Sequence, residues 1–204
     1  MDKVIIGLTG QSGAGKSTVS HLFERDGFFV INADRVSREV TTRTDVLKIL
    51  ENNFGKSIIL DDGTLNRRKL AGIVFSDKEK LQLLNSIMFP IVTKEIENKI
   101  KETDCVYFLL DAPQLFESGA NKMCDRIVSV IAPKEMLIER AMERDEISYE
   151  EAEKRLNSQY PEQFFIDNSD FVINNSTTIC DLIDVVQTTI KEIRSSLWRP
   201  DYLL

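Results

Sequence analysis

The stretch "VIIGLTGQSGAGKSTVSHLF", Val4 to Phe23, constrains the fold more than any other part of this chain. Val4 to Leu8 is an apolar, β-branched run that reads as a buried parallel strand. Gly10-Gln11-Ser12-Gly13-Ala14-Gly15-Lys16-Ser17 follows and fits G-x-x-x-x-G-K-[ST] at every fixed position. From Gly15 the spacing turns helical, with Val19, Leu22 and Phe23 on one face and Gly27 as a stop. Strand, glycine loop and helix in this order form a cradle for phosphate. The glycines let successive N–H groups converge on phosphate oxygens, and the helix N-terminus adds positive potential. Lys16 is expected at the β- and γ-phosphates, Ser17 as a Mg²⁺ ligand and Thr18 at the α-phosphate.

The remaining chain extends this unit into a sheet. "FFVINAD", Phe28 to Asp34, predicts a second strand, and a third is centred on Val106 to Leu110. "RIVSVIA" predicts a fourth, with Pro133 after it as a first helical residue, and "DFVINN" a short fifth. A long amphipathic helix is expected from about Thr178 to Leu197. Strands alternating with helices imply an α/β fold, a doubly wound parallel five-stranded sheet. Between roughly residues 41 and 103, "DVLKILENNFG", "NRRKLAGIVFSDKEKLQLLNSI" and "PIVTKEIENKIK" are helix-like with no clear strand. This region reads as a helical insertion within a single domain spanning 1–204. The apolar "LLNSIMFPIV" inside it reads as core.

Charge and cysteine content exclude several function classes. The net charge of -7 disfavours a general nucleic-acid binder, whose affinity rests on a basic surface. Cys105, Cys124 and Cys180 match no zinc spacing, and one histidine, His21, offers little to a transition metal. The cysteines read as buried or partly buried thiols of a reducing cytosol. No apolar stretch approaches the roughly 20 residues that span a bilayer. A cytoplasmic protein without membrane or nucleic-acid partners is expected, as a monomer or small homo-oligomer.

Glycine loops of this kind serve GTPases, motor ATPases and small kinases. No guanine-reading N-K-x-D run occurs, and 204 residues suit a small kinase better than a motor. Such a kinase needs a carboxylate for the acceptor hydroxyl and cations for the migrating phosphoryl group. Asp34 ends the second expected strand, where ligands of such folds bind; its alternative is a helix N-cap for "RVSREV". Asp111 stands at the equivalent point of the third strand, to act through water on Mg²⁺ or to cap a turn. Glu117, six residues on, is a weaker candidate of the same type. Arg140 and Arg144 in "LIERAMERDEIS" share a helix face, and Arg155 follows in a helix opened by a Ser148–Glu151 capping box. They form either a lid over the phosphates, roughly residues 134–160, or a solvated face pairing with Glu139 and Glu143.

Taken together, "GLTGQSGAGKST", "VINADRVSREV", "DGTLNRRKLAGIVFSD", "LNSIMFPIV", "LLDAPQLFESG", "ERAMERDEISYEEAEKRLNSQ" and "DFVINNS" resemble the dephospho-CoA kinases along essentially the whole chain. The resemblance implies a P-loop kinase fold with a helical acceptor-binding insertion and a lid. It implies transfer of the γ-phosphoryl group of ATP, with Mg²⁺, to the ribose 3′-hydroxyl of dephospho-CoA. It marks Asp34 as the base, Arg140 as a lid arginine near the phosphates, and Asn174 and Asn175 as neighbours of adenine. Asn66 and Arg67 of "LNRRKL", with Asp34, Asp111 and Glu117, then belong to the acceptor side. Several positions depart from the family pattern: Gln11 where glycine is usual, Asn32 for the first aspartate of D-A-D, Phe89 for a histidine and Gln114 for a leucine. The residues themselves leave open another small-molecule kinase, acting on a nucleoside or sugar hydroxyl, and a nucleotide-binding module without turnover.

Overall fold

A computed structural model describes residues 3–197; the ends of the expected 1–204 domain, 1–2 and 198–204, lie outside the described residues. In chain order the elements are β1 (Val4–Gly10), α1 (Lys16–Arg25), β2 (Phe29–Asn32), α2 (Ala33–Val40), α3 (Thr44–Phe54), α4 (Arg67–Phe75) and α5 (Lys78–Glu102). Then come β3 (Tyr107–Asp111), β4 (Arg126–Ile131), α6 (Lys134–Asp145), α7 (Tyr149–Asn157), α8 (Glu162–Asp167), β5 (Phe171–Asn174) and α9 (Ile179–Leu197). Two compact units result: residues up to Ile31 together with those from Cys105 onward, and Asn32–Asp104.

The first unit is built on the expected sheet, in the order β2-β3-β1-β4-β5, and every described pairing is parallel. β1 is central and changes partner along its length. Val4–Leu8 pair with Tyr107–Asp111 of β3, whereas Ile6–Gly10 pair with Arg126–Val130 of β4. Strand order reverses on either side of β1, so the loop leaving it emerges at the topological switch point. Gly10 is required there: its φ is 136°, and a Cβ would lie 2.1 Å from the carbonyl oxygen of Val130.

Ile6, Leu8, Leu109, Val128, Val130 and Ile173 face a common core against Val19 and Phe23 of α1. Leu182, Val186, Ile190 and Ile193 of α9 join them, a stripe at three- and four-residue spacing that explains why this helix is long. Phe23 is fully buried and meets Phe28 edge-on at 5.0 Å. Burial of a side chain of that size stabilises by about 1.5–3 kcal/mol. Arg194 ties the end of α9 to Asp26, donating to its carbonyl at 2.8 Å and pairing with its carboxylate at 3.0 Å.

The second unit is helical, with α2 and α4 packed on α5. Its only strand-like feature among the described residues is an isolated antiparallel bridge, Ile59 with Leu65. The helix breaks differ from the periodicity reading. Asp77 accepts from the N–H groups of Glu79 and Lys80, so α5 starts at Lys78 and separates from α4. From there α5 runs 25 residues straight through Pro90, where two segments were expected. Proline withholds one N–H from the helix, but one lost bond is outweighed by the buried contacts of Met88, Ile96 and Ile100 on the same helix.

Three further readings are corrected. Pro133 is the N-cap of α6 rather than its first residue, because its ψ of 142° is extended. β2 stops at Asn32, so Asp34 does not end a strand; nor is it the helix cap. The Asn32 side chain takes that place, accepting from the N–H of Arg35 at 2.9 Å, which puts Asp34 in the first turn of α2. Of the cysteines, Cys180 is exposed rather than partly buried. Cys124 fits the original reading: burial, with the charge of Asp125, pushes its thiol up to about 12 and leaves it inert.

Candidate active site

The phosphate loop is built as its sequence requires, between β1 and the N-terminus of α1. Lys16 opens α1, and its Nζ donates to the carbonyl oxygens of Gly10 at 2.6 Å and Gln11 at 3.0 Å. The ammonium group is thus drawn across the mouth of the loop, held by neutral carbonyls that an anionic phosphate would outcompete. Ser17 is exposed on the first turn of α1, and Thr18 is half-buried beside it. Asp111 ends β3 opposite Leu8 of β1 and is buried. Glu117 follows after a turn; its side chain is exposed, yet the protein around it desolvates the carboxyl enough to raise its pKa.

Arg140 and Arg144 do share the loop-facing side of α6. Arg140 donates to the carbonyls of Gly13 (3.3 Å) and Asn175 (3.2 Å), and Arg144 donates to the hydroxyl of Ser12 (3.0 Å). Among the described residues these arginines form no ion pair with Glu139 or Glu143, while the side chains of Arg144 and Arg155 stay about half exposed. Asp145 pairs instead with Arg144, at 2.7 Å, and with Arg155. The Arg144 hydrogen bond and the nearby Arg155 charge hold Asp145 down to about 2. α7 packs against α6 and opens on the expected capping box, with Ser148 and Glu151 bonded reciprocally.

Asn175, just beyond β5, is buried and donates from Nδ2 to the carbonyl of Ala14 at 2.9 Å. Asn174 ends β5 and is exposed. In the helical unit, Asn66 caps α4 by accepting from Lys69 at 3.0 Å. Arg67 donates to the carbonyl of Arg38 at 3.1 Å and to the hydroxyl of Thr41 at 2.5 Å, fastening α4 to the end of α2. The two residues of "LNRRKL" expected at the acceptor therefore also organise the unit that carries Asp34. Phe89 is half-buried on α5.

Sequence reading missed two loop partners. Gln159, after α7, accepts from the N–H of Ser12 at 2.9 Å, and Gln11 donates to the carbonyl of Tyr160 at 3.2 Å. Both contacts bridge nearly 150 positions, so no local pattern announces them. Gln11, in a free position of the motif, is buried and tethered.

The donor set suits a magnesium–triphosphate ligand. Mg²⁺ keeps waters and phosphate oxygens in most of its positions and asks few oxygens of the protein. The hydroxyl of Ser17 and the carboxylate of Asp111 are oxygen donors of that kind. No cluster of three or more His, Cys, Asp or Glu occurs among the described residues to build an all-protein metal cage.

The sequence profile of the dephospho-CoA kinase family matches residues 4–181. The chain belongs to the dephospho-CoA kinase family. A dephospho-CoA kinase of Fusobacterium nucleatum is 40% identical over 188 residues, covering 92% of this chain and 97% of its own. That of Carboxydothermus hydrogenoformans is 39% identical over 199 residues, covering 95% and 96%. Among solved structures, the dephospho-CoA kinase of Campylobacter jejuni superposes with a TM-score of 0.71 at 27% identity, over 95% of this chain and 98% of its own. Shikimate kinase of Acinetobacter baumannii, at 18% identity and a TM-score of 0.57 over 97% and 96%, shows the shared P-loop kinase fold. Among the described residues no helix is long and apolar enough to cross a membrane.

Proposed function

We propose that this chain transfers the γ-phosphoryl group of ATP to the ribose 3′-hydroxyl of dephospho-CoA, giving coenzyme A in the last step of its synthesis. The observation that carries the reading is the complete phosphate loop with Arg140 fixed on its Gly13 carbonyl, in a member of the dephospho-CoA kinase family. A loop of converging N–H groups binds the triphosphate. Lys16 exchanges its carbonyl partners for β- and γ-phosphate oxygens. Arg140 and Arg144 neutralise charge as the phosphoryl group moves, and the lid, about residues 134–160, excludes water from it. Ser17, and Asp111 through water, would hold Mg²⁺, which supplies charge neutralisation at the phosphates. Asn174 and Asn175 lie on the adenine side.

In this scheme Asp34 accepts the proton of the 3′-hydroxyl while that oxygen bonds to the γ-phosphorus. The bond from phosphorus to the bridging oxygen breaks, and ADP leaves with the electron pair. The helical insertion, about residues 41–103, holds the acceptor within a single kinase domain, with Asn66, Arg67 and Glu117 among its contacts. Three free cysteines suit a reducing cytoplasm, and a monomer or small homo-oligomer suffices for the chemistry.

The test is ADP release with ATP and Mg²⁺, comparing dephospho-CoA with nucleosides, shikimate and simple sugars. Release that depends on dephospho-CoA supports the reading. A preference for a nucleoside or sugar replaces it with another small-molecule kinase, and background rates with every acceptor leave a nucleotide-binding module.

A further inference from the structure

The two tethers at Gln11 and Gln159 are reciprocal. Residue 11 gives its side chain to the main chain at 160, and residue 159 gives its side chain to the main chain at 12. We propose that this pair is a clasp that positions the phosphate loop for nucleotide, making Gln11 and Gln159 positioning residues for ATP. The inference rests on the kinase reading only for the identity of the nucleotide.

Four main-chain groups of Ser12, Gly13 and Ala14 are engaged by the protein itself. The Ser12 N–H is held by Gln159, and the Ala14 N–H by the Gln11 carbonyl at 3.2 Å. The Gly13 and Ala14 carbonyls are held by Arg140 and Asn175. Groups already bonded fix the orientation of the loop's peptide planes, and a loop ordered beforehand loses less entropy when phosphate binds. Arg140 and Asn175 belong to α6 and to the end of β5. The clasp connects the loop to residues 159–160, the chain segment leaving lid helix α7.

Gln11 is suited to this by burial. It is 6% exposed, so its amide cannot fall back on water, and the carbonyl of Tyr160 satisfies it. Tyr160 is fixed in turn by stacking on Phe164 at 3.9 Å, and Phe164 meets Phe116 edge-on at 5.1 Å. The segment that receives the tether is therefore anchored in an aromatic cluster. A glycine at position 11 has no side chain with which to form the Gln11 half.

The experiment measures equilibrium binding of the imido-bridged ATP analogue with Mg²⁺ to Gln11→Met, Gln159→Met and the double variant, with the KM for dephospho-CoA alongside. Methionine keeps the length of the side chain and removes its amide. Loss of one hydrogen bond predicts that each single variant weakens the analogue about 5-fold. The double should weaken it little further, because releasing one half frees the other, and the KM for dephospho-CoA should stay within about 2-fold. Unchanged analogue affinity overturns the clasp, as does a double variant equal to the product of the singles. Equal loss toward dephospho-CoA overturns a role confined to the loop. Thermal unfolding identifies a variant that fails to fold, and the alanine variant of the same position then takes its place. If the wild-type chain does not turn over dephospho-CoA, the proposed function fails, while the analogue binding still decides the clasp.

Discussion

The side-chain amide of Asn175 donates to the main-chain carbonyl of Ala14 at 2.9 Å, joining the end of the last strand to the first loop across 161 positions of sequence. The contact leaves no room on the loop. A Cβ on Gly15 would lie 2.2 Å from Asn175 Nδ2, and Gly15 holds a φ of 93°. Gly15→Ala therefore meets both a left-handed backbone and a collision. We expect the variant to lose ATP-analogue binding by at least about 10-fold, consistent with strain of roughly 1–3 kcal/mol. Titration calorimetry reads this directly, and wild-type affinity would show that Asn175 yields without consequence.

Arg140 spans two carbonyls, of Gly13 and Asn175, each bonded to a different terminal nitrogen of its planar guanidinium fork. Arg140→Ala is expected to lower kcat by roughly 10²–10³-fold, the range for losing one preorganised electrostatic donor. Arg140→Lys keeps the charge but should recover little. Steady-state kinetics with saturating ATP check both, and full recovery by lysine would reduce the role to charge alone.

Asp145 makes a pH prediction. Its folded pKa, about 2, lies below the ordinary 3.8, with the Arg144 hydrogen bond as the leading cause. A depressed acid stabilises the fold fully above its unfolded value and loses that contribution as pH falls through the folded one. The stability difference between wild type and Asp145→Asn should be constant above about pH 5 and shrink between about pH 4 and 2. Urea midpoints across that range test it. A difference that does not vary with pH would mean that the Asp145 charge does not couple to folding.

Asp34→Asn keeps the shape of the proposed base and removes its basicity. The expected outcome is a kcat lower by roughly 10²–10⁴-fold with ATP-analogue affinity retained. Since Asn32 already caps α2, the fold should be little affected, and thermal unfolding checks this. An unchanged kcat would dismiss Asp34 from proton transfer.

The sheet and the phosphate loop were legible because their signals are local: apolar runs of strand length, a spaced motif, and a change of period at Gly15. The arginine pair on α6 was legible as one helix face, but its partners were not, since Ser12, Gly13 and Asn175 come from distant segments. Asn32 and Asp34 show a finer limit. Both are good caps two positions apart, and only the end of β2 decides which one is used. Pro90 misled for a related reason, because a proline's local penalty says nothing of the burial on either side of it. Gln11 occupies a free position of the motif, and its side-chain bond to the carbonyl of Tyr160 joins segments that no local pattern connects.

Product analysis identifies the hydroxyl that receives the phosphoryl group. The chain is incubated with ATP, Mg²⁺ and dephospho-CoA, ADP is quantified, and the phosphorylated product is located by phosphorus-31 NMR. One coenzyme A, phosphorylated on the ribose 3′-oxygen, is expected for each ADP released. ADP formed without coenzyme A, or phosphate on a different hydroxyl, would contradict it.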